Sequence, residues 1–467
     1  MIMKIRYGVI IGLLLISALH GVQAKIYPVA NLEEFNKTVP TLGPGDEIVL
    51  KNGVWRDVEF QFFGKGSPEA PIILRAGTPG KVSIEGKSNL KLSGAYLHVS
   101  GLIFRNGYTP AGSVIEFRNK NEVANNCTVS NCAIEEFSNP DKSKNDFWIQ
   151  INGKNNTVEY CSLTGKANKG MTLTVRLDSL TSIETNHHIY RNYFGKREPL
   201  GENGGETIQI GLSQTSHLNG WTKVEENFFE QCDGELEIIS VKSCENMIIN
   251  NVFKECRGML TLRHGHRNMV YGNIFLGNGV EGTGGVRVIN ENQKVFNNFF
   301  SGLRGRGVSS ALVLVNGIPN AKPKEYDQVK NAVIFNNTFY DCSIPFQFGH
   351  GNGPNRNMRP LNTVIANNLV YCINEDSLIQ TYDKTDGIRL ENNLMISRNG
   401  KMKGNNMADG QVTLIKKDDL MIPVSQSVGV LPNNTLLDKS KYGPAWWQKN
   451  KSNERKDFNY FNFICFL

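Results

Sequence analysis

Hydrophobic positions along this chain come in short alternating runs closed by polar residues, and helical spacing appears only once, near the start. From about residue 100 a single phrase keeps returning: two or three apolar residues, a polar residue or two that are commonly Asn-Asn, then Phe or Leu two places on. Its anchors are Cys132, Cys161, Asn192, Asn227, Asn251, Asn273, Asn298, Asn337, Asn368 and Asn393, spaced 22 to 39 residues apart. A basic period of 22 to 25 residues, lengthened where loops are inserted, predicts an all-β chain: a right-handed, single-stranded parallel β-helix with three short strands per coil. In such a solenoid each anchor Asn sits at a bend, tolerates the turn conformation and hydrogen-bonds to the coils above and below. The aromatic two places later points inward. A TIM barrel or doubly wound sheet would need amphipathic helices between strands, and a leucine-rich repeat would need a Leu-dominated pattern; neither is found.

A solenoid must close its ends, because a terminal coil exposes apolar surface and an unpaired edge. The segment Asn31-Leu-Glu-Glu34 is a capping box, and Leu32, Phe35 and Val39 share one helical face, so a short N-terminal capping helix is expected. The repeat fades after Met395, and Gly443 to Trp447 is expected to be the packed end of a β-helix domain spanning residues 25–447. The tail, 448–467, begins charged and ends apolar. Residues 1–24 have the layout of a signal peptide: Lys4 and Arg6, an apolar run from Gly8 to Ala18, then Val22-Gln-Ala24. That run of about 11 residues is too short for a membrane span, which takes about 20, and no later segment is longer. A bacterial protein exported to the periplasm or beyond, monomeric and without a membrane span, is the expectation.

Charge narrows the partners. The chain has 51 basic and 44 acidic residues, and two of the basic ones, Lys4 and Arg6, belong to the leader. This slight excess suits a polyanion without requiring one, and the absence of a dense Lys/Arg block in an exported chain argues against nucleic acid. The Cys count, nine, is odd, and no pair has CxxC spacing. Cys127, Cys132, Cys161, Cys232, Cys256, Cys342 and Cys372 lie in apolar contexts, as small buried hydrophobes would.

One stretch breaks the apolar rule. Glu235-Leu-Glu237-Ile-Ile-Ser-Val-Lys242 carries two acids and a base inside an otherwise buried strand, and Arg263 follows in Leu262-Arg-His-Gly265. Alternation puts Glu235 and Glu237 on one side, where they repel unless a cation or a basic side chain such as Lys242 or Arg263 sits between them. Glu237 and Lys242 are an odd number of residues apart, so a bulge is needed if they share a face. Relative to the anchors, Asn203 and Gln209 fall one coil earlier and Arg287 two coils later, with Arg263 and His264 between. Hard oxygen donors suit Ca²⁺ better than zinc; a solvated salt-bridge ladder is the alternative.

Three motifs, Asn203-Gly-Gly-Glu-Thr-Ile-Gln-Ile-Gly211, Glu235-x-Glu237-Ile-Ile-Ser-x-Lys242-Ser and Leu262-Arg-His-Gly265, occur in this order within a chain that resembles polysaccharide lyase family six from Pro44 to Trp447. That family contains chondroitinase B and many alginate lyases. The resemblance implies Ca²⁺ as cofactor with Asn203, Glu235 and Glu237 as ligands, Lys242 as Brønsted base and Arg263 as Brønsted acid, with β-elimination on a uronic acid polysaccharide as the reaction. His264, Arg287, Glu206 and Gln209 are assigned to the substrate side, Gln209 standing where the family often has Arg. Because Arg stays protonated, Arg263 can instead stabilise the leaving oxyanion while water supplies the proton. The Asn-Gly-Gly-Glu segment and the Gly284-Gly-x-Arg287 strand are similar to the alginate lyases of the family and point to alginate over dermatan sulfate. A non-catalytic carbohydrate-binding β-helix is the competing class.

Overall fold

The computed structural model describes residues 24–178 and 181–449. All but Ala24 of the expected signal peptide, and the tail from residue 450 onward, lie outside the described residues.

Among the described residues, strands of two to seven residues recur with the sequence phrase and stack coil on coil into three sheets of 14 strands each, parallel except for one antiparallel pair at an end of two of them. The chain is a right-handed parallel β-helix, as its period predicts. One continuous apolar core fills the interior, from Phe35 at the N-terminal end to Met395 in the last coil. The capping helix is Leu32–Thr38; the Asn31 side chain accepts from the Glu34 N–H at 2.9 Å, and Glu34 returns the bond to the Ala30 N–H at 2.8 Å. Its Phe35 meets Phe60 edge-on at 4.8 Å between ring centroids, which closes the first coil.

The Asn-Asn phrase divides its work between its two residues, which differs from the single role expected of the anchor. The first residue takes the left-handed turn: Asn250, Asn297, Asn336, Asn367 and Asn392 have φ between 50° and 56°. The second, the anchor, is fully buried and accepts at Oδ1 from the backbone N–H and the side-chain amide of the anchor one coil before. From Asn192 to Asn393 these bonds run at 2.9–3.0 Å without a break. Two residues further on, Phe194, Phe229, Phe253, Phe275, Phe300 and Phe339 stack inside with centroids 4.6–4.8 Å apart. The eight described Cys residues are buried free thiols.

The C-terminal segment packs against early coils. Trp446 and Trp447 do not close the last coil. They pack beside Ile103 and Ala133, and the Trp446 indole donates to Asn131 O at 3.1 Å. After the last coil the chain doubles back along the outside of one sheet, burying Val428 by Leu369 and Leu394, then Ile422, Leu436 and Tyr442 against Phe228, Val252 and Phe299. Met402 and Met407, ahead of this strap, cover the apolar end.

Candidate active site

The unusual chemistry lies on the outward face of one sheet, over the strands Ile208–Ile210, Glu237–Lys242, Met259–His264 and Val286–Val288. Their inward positions (Ile208, Ile210, Ile239, Val241, Leu260, Leu262, Val286 and Val288) are buried in the core, so the register of the outward residues is fixed.

Where Glu237–Lys242 pairs with Met259–His264 the register slips twice. Glu237 pairs with Met259 but Ile239 with Leu260, so Ile238 is an extra residue; Val241 pairs with Leu262 but Lys242 with His264, so Arg263 is extra on the other strand. These bulges meet the parity requirement between Glu237 and Lys242 and swing Arg263 out over the acids.

Glu206, Glu235 and Glu237 each bring a carboxylate oxygen within 4.8 Å of the other two. Glu206, expected on the substrate side, has its carboxylate in the acidic cluster. Glu237, 4 % exposed, is held by Arg287 and Ser240 and by Arg263 Nη1 at 2.6 Å. Burial works against its charge, but Arg287 and Arg263 overcome that and keep its carboxyl below the usual range. Glu235 has no such escort. Burial, then the Glu206 and Glu237 charges, push it up to about 7, and its bonded donor is the Gly204 N–H at 3.0 Å. Beneath the cluster the buried Arg197 donates to the carbonyls of Glu206, Asn168 and Gly170, which fixes the loop that carries Glu206.

Lys242 Nζ lies 3.0 Å from Gln209 Oε1 and 3.4 Å from Glu206 Oε1. His264 is buried beside it; burial first, then the Arg263 and Lys242 charges, push its imidazole down to about 4, so the ring is neutral near pH 7. Asn203 is exposed in the loop next to Gly204. The fold therefore brings Glu206, Gln209, Glu235, Glu237, Lys242, Arg263, His264 and Arg287 together on four successive coils and their edges, with Asn203 at the rim.

The donor set fits a hard divalent cation. Three carboxylates converge, burial and its two acidic neighbours raise one of them, Glu235, to about 7, and the buried Glu206 Oε2 has no hydrogen-bond partner. Among the described residues no imidazole or thiol joins the cluster, which disfavours zinc.

Sequence reasoning missed Tyr326 and Arg356. Tyr326 lies in the loop that makes the Asn298 to Asn337 repeat 39 residues long. Two guanidinium groups lie over its ring, Arg263 at 4.8 Å and Arg356 at 4.5 Å from the centroid. The loop is pinned by Ser216 Oγ, which donates to Pro323 O at 3.1 Å. Only the length of that repeat hinted at an insertion.

Comparison with known proteins adds the lineage. The family model described as Chondroitinase B matches residues 29–436. The solved PL6 family alginate lyase AlyGC is 42 % identical over 90 % of this chain, with a TM-score of 0.87; this chain spans 58 % of its length. A mannuronic acid specific family 6 lyase from human gut microbiota is 30 % identical over 93 % of this chain and all of its own, with a TM-score of 0.77. The PL6 polysaccharide lyase Pedsa3628 from Pseudopedobacter saltans is 26 % identical over 90 % of this chain, with a TM-score of 0.76. No functionally curated protein matches.

Proposed function

The chain belongs to the chondroitinase B family, polysaccharide lyase family six, and from that membership we propose that it is an exported lyase that cleaves alginate by Ca²⁺-assisted β-elimination and leaves an unsaturated uronic acid at the new end. The observation that carries this reading is one amine and two guanidinium groups arrayed around three carboxylates on the outward face of one β-helix sheet.

The C5 proton of a uronate is weakly acidic, because removing it sets a second negative charge beside the carboxylate. Ca²⁺, held by Asn203, Glu235 and Glu237 with Glu206, would neutralise that carboxylate and stabilise the charge that develops. Lys242 accepts the C5 proton; Gln209 orients its amine, and Glu206 is the nearer acid. Arg263 is kept charged by Glu237 although burial opposes this, so it acts on the leaving O4 as a hydrogen-bond donor, with water delivering the proton. Neutral His264 offers a ring nitrogen to a sugar hydroxyl, and Arg287 sets the position of Glu237. Alginate is favoured over dermatan sulfate because two similar structures are named for alginate or mannuronate, and because this chain carries the Asn203 to Glu206 segment and Arg287. Export rests on residues 1–24, and among the described residues no helix is long and apolar enough to cross a membrane.

Ultraviolet absorbance of the unsaturated product tests this, with polymannuronate, polyguluronate and dermatan sulfate run in parallel in calcium. A rise on the alginate polymers is expected, fastest on polymannuronate. A rise on dermatan sulfate alone would move the substrate, and no rise on any would leave a non-catalytic carbohydrate-binding β-helix.

A further inference from the structure

We propose that Arg176, backed by Phe147, is a distal carboxylate subsite on the same sheet face, two coils from Lys242, so that turnover increases with the length of the uronate chain. The inference rests on the lyase reading for its substrate class, and on the following geometry for its place.

Val175 pairs with Ile210, and Ile210 with Val241. The next residue of each strand therefore falls in one column running along the solenoid axis: Arg176, Gly211, Lys242. Gly211, at φ +82°, puts no side chain between the two cations. With strands about 4.8 Å apart, the column separates their backbone positions by roughly 10 Å, the span of about two sugars in a chain laid along the axis. Both side chains fold back over the same outward face, Lys242 to Gln209 and Arg176 to Phe147, whose ring centroid is 4.6 Å from Cζ.

The guanidinium of Arg176 is partly buried, and among the described residues no carboxylate or carbonyl accepts from it. Other arginines of this face and its underside are engaged: Arg197 by three carbonyls, Arg263 and Arg287 by Glu237, Arg118 by Asp178. The acid whose charge Arg176 feels is Glu116, but that carboxyl takes the Gln150 amide at 2.9 Å, and Lys91 and Arg118 also balance it. A desolvated cation without an acceptor is costly to hold unless an anion visits it. Stacking on Phe147 fixes the guanidinium plane and leaves its N–H edge for a carboxylate, which an arginine fork binds in bidentate fashion.

The test is kcat/KM on mannuronate oligomers from trimer to octamer, for the wild type, Arg176→Ala and Arg176→Lys. The wild-type value should climb until the oligomer spans both coils. Arg176→Ala should flatten that climb, with a deficit that deepens by about tenfold between trimer and hexamer, and Arg176→Lys should fall between. A deficit equal at every length, or none, would overturn the subsite. If the wild type cleaves no uronate polymer, the lyase reading fails separately. Calorimetric binding of mannuronate hexamer then decides: about tenfold weaker binding to Arg176→Ala supports the subsite, and equal binding removes it. Unchanged far-ultraviolet circular dichroism and melting temperature exclude misfolding as the cause.

Discussion

The anchor-asparagine corner and the catalytic face are built from the same coils at the same depth, yet they treat polar groups in opposite ways. At the corner, every buried amide from Asn192 to Asn393 meets the amide of the next coil, and the register never slips. On the face, the register slips twice within one strand pair, Glu206 Oε2 is unpartnered, and the Nε atoms of Arg263 and Arg287 are unpartnered too. Repetition satisfies hydrogen bonds without net charge and gives a rigid frame. Irregularity on that frame holds charged groups that are incompletely satisfied, which is the condition for binding a cation or an anionic sugar.

Four changes probe that contrast, in descending order of expected effect. Lys242→Ala should lower the rate of unsaturated-product formation on the order of 10³-fold while leaving the melting temperature unchanged, since its amine supports the reaction and no core contact. Retained activity would mean that another group takes the proton. Asn273→Ala should do the reverse. It strands the Asn251 N–H, removes one of the two acceptors of the Asn251 amide and deletes donors to Ile248 O and Asn298 Oδ1, so urea unfolding should show a loss of about 3 kcal/mol with kcat close to wild type. A loss under about 1 kcal/mol would show that the ladder follows from the fold and does not stabilise it.

The third concerns Glu235. Its folded pKa, about 7, lies above its unfolded one, so the calcium-free protein binds the extra proton when folded. Its contribution to stability is present at low pH and lost as pH rises through about 7, with a slope of at most about 1.4 kcal/mol per pH unit. Thermal melts between pH 5 and 8 should fall with pH without calcium, and the gain on adding calcium should grow over the same range. A calcium gain independent of pH would take Glu235 out of the site. The smallest effect is expected from Tyr326→Ala, which frees Arg263 and Arg356 from their shared ring: about 1 kcal/mol, read as a roughly fivefold fall in kcat/KM at unchanged stability. No fall would mark the insertion loop as a bystander.

The sequence by itself determined the solenoid, the capping helix, the asparagine and phenylalanine ladders and the need for a bulge between Glu237 and Lys242. All of these follow from strand alternation and from a repeat in which neighbouring coils are neighbouring stretches of chain. It also brought together Glu235, Glu237, Lys242, Arg263 and Arg287, because residues one period apart must stack. Only the tertiary structure decided the rest. It placed Glu206 in the acidic cluster, set the Tyr326 loop over Arg263, carried Trp446 and Trp447 back to Ile103 and Ala133, and aligned Arg176 with Lys242 across Gly211. Each of these depends on the path of a segment that repeats nothing, or on where a bulge falls. Loop paths and bulges are chosen by packing against distant coils, and a period read along the chain has no access to those contacts.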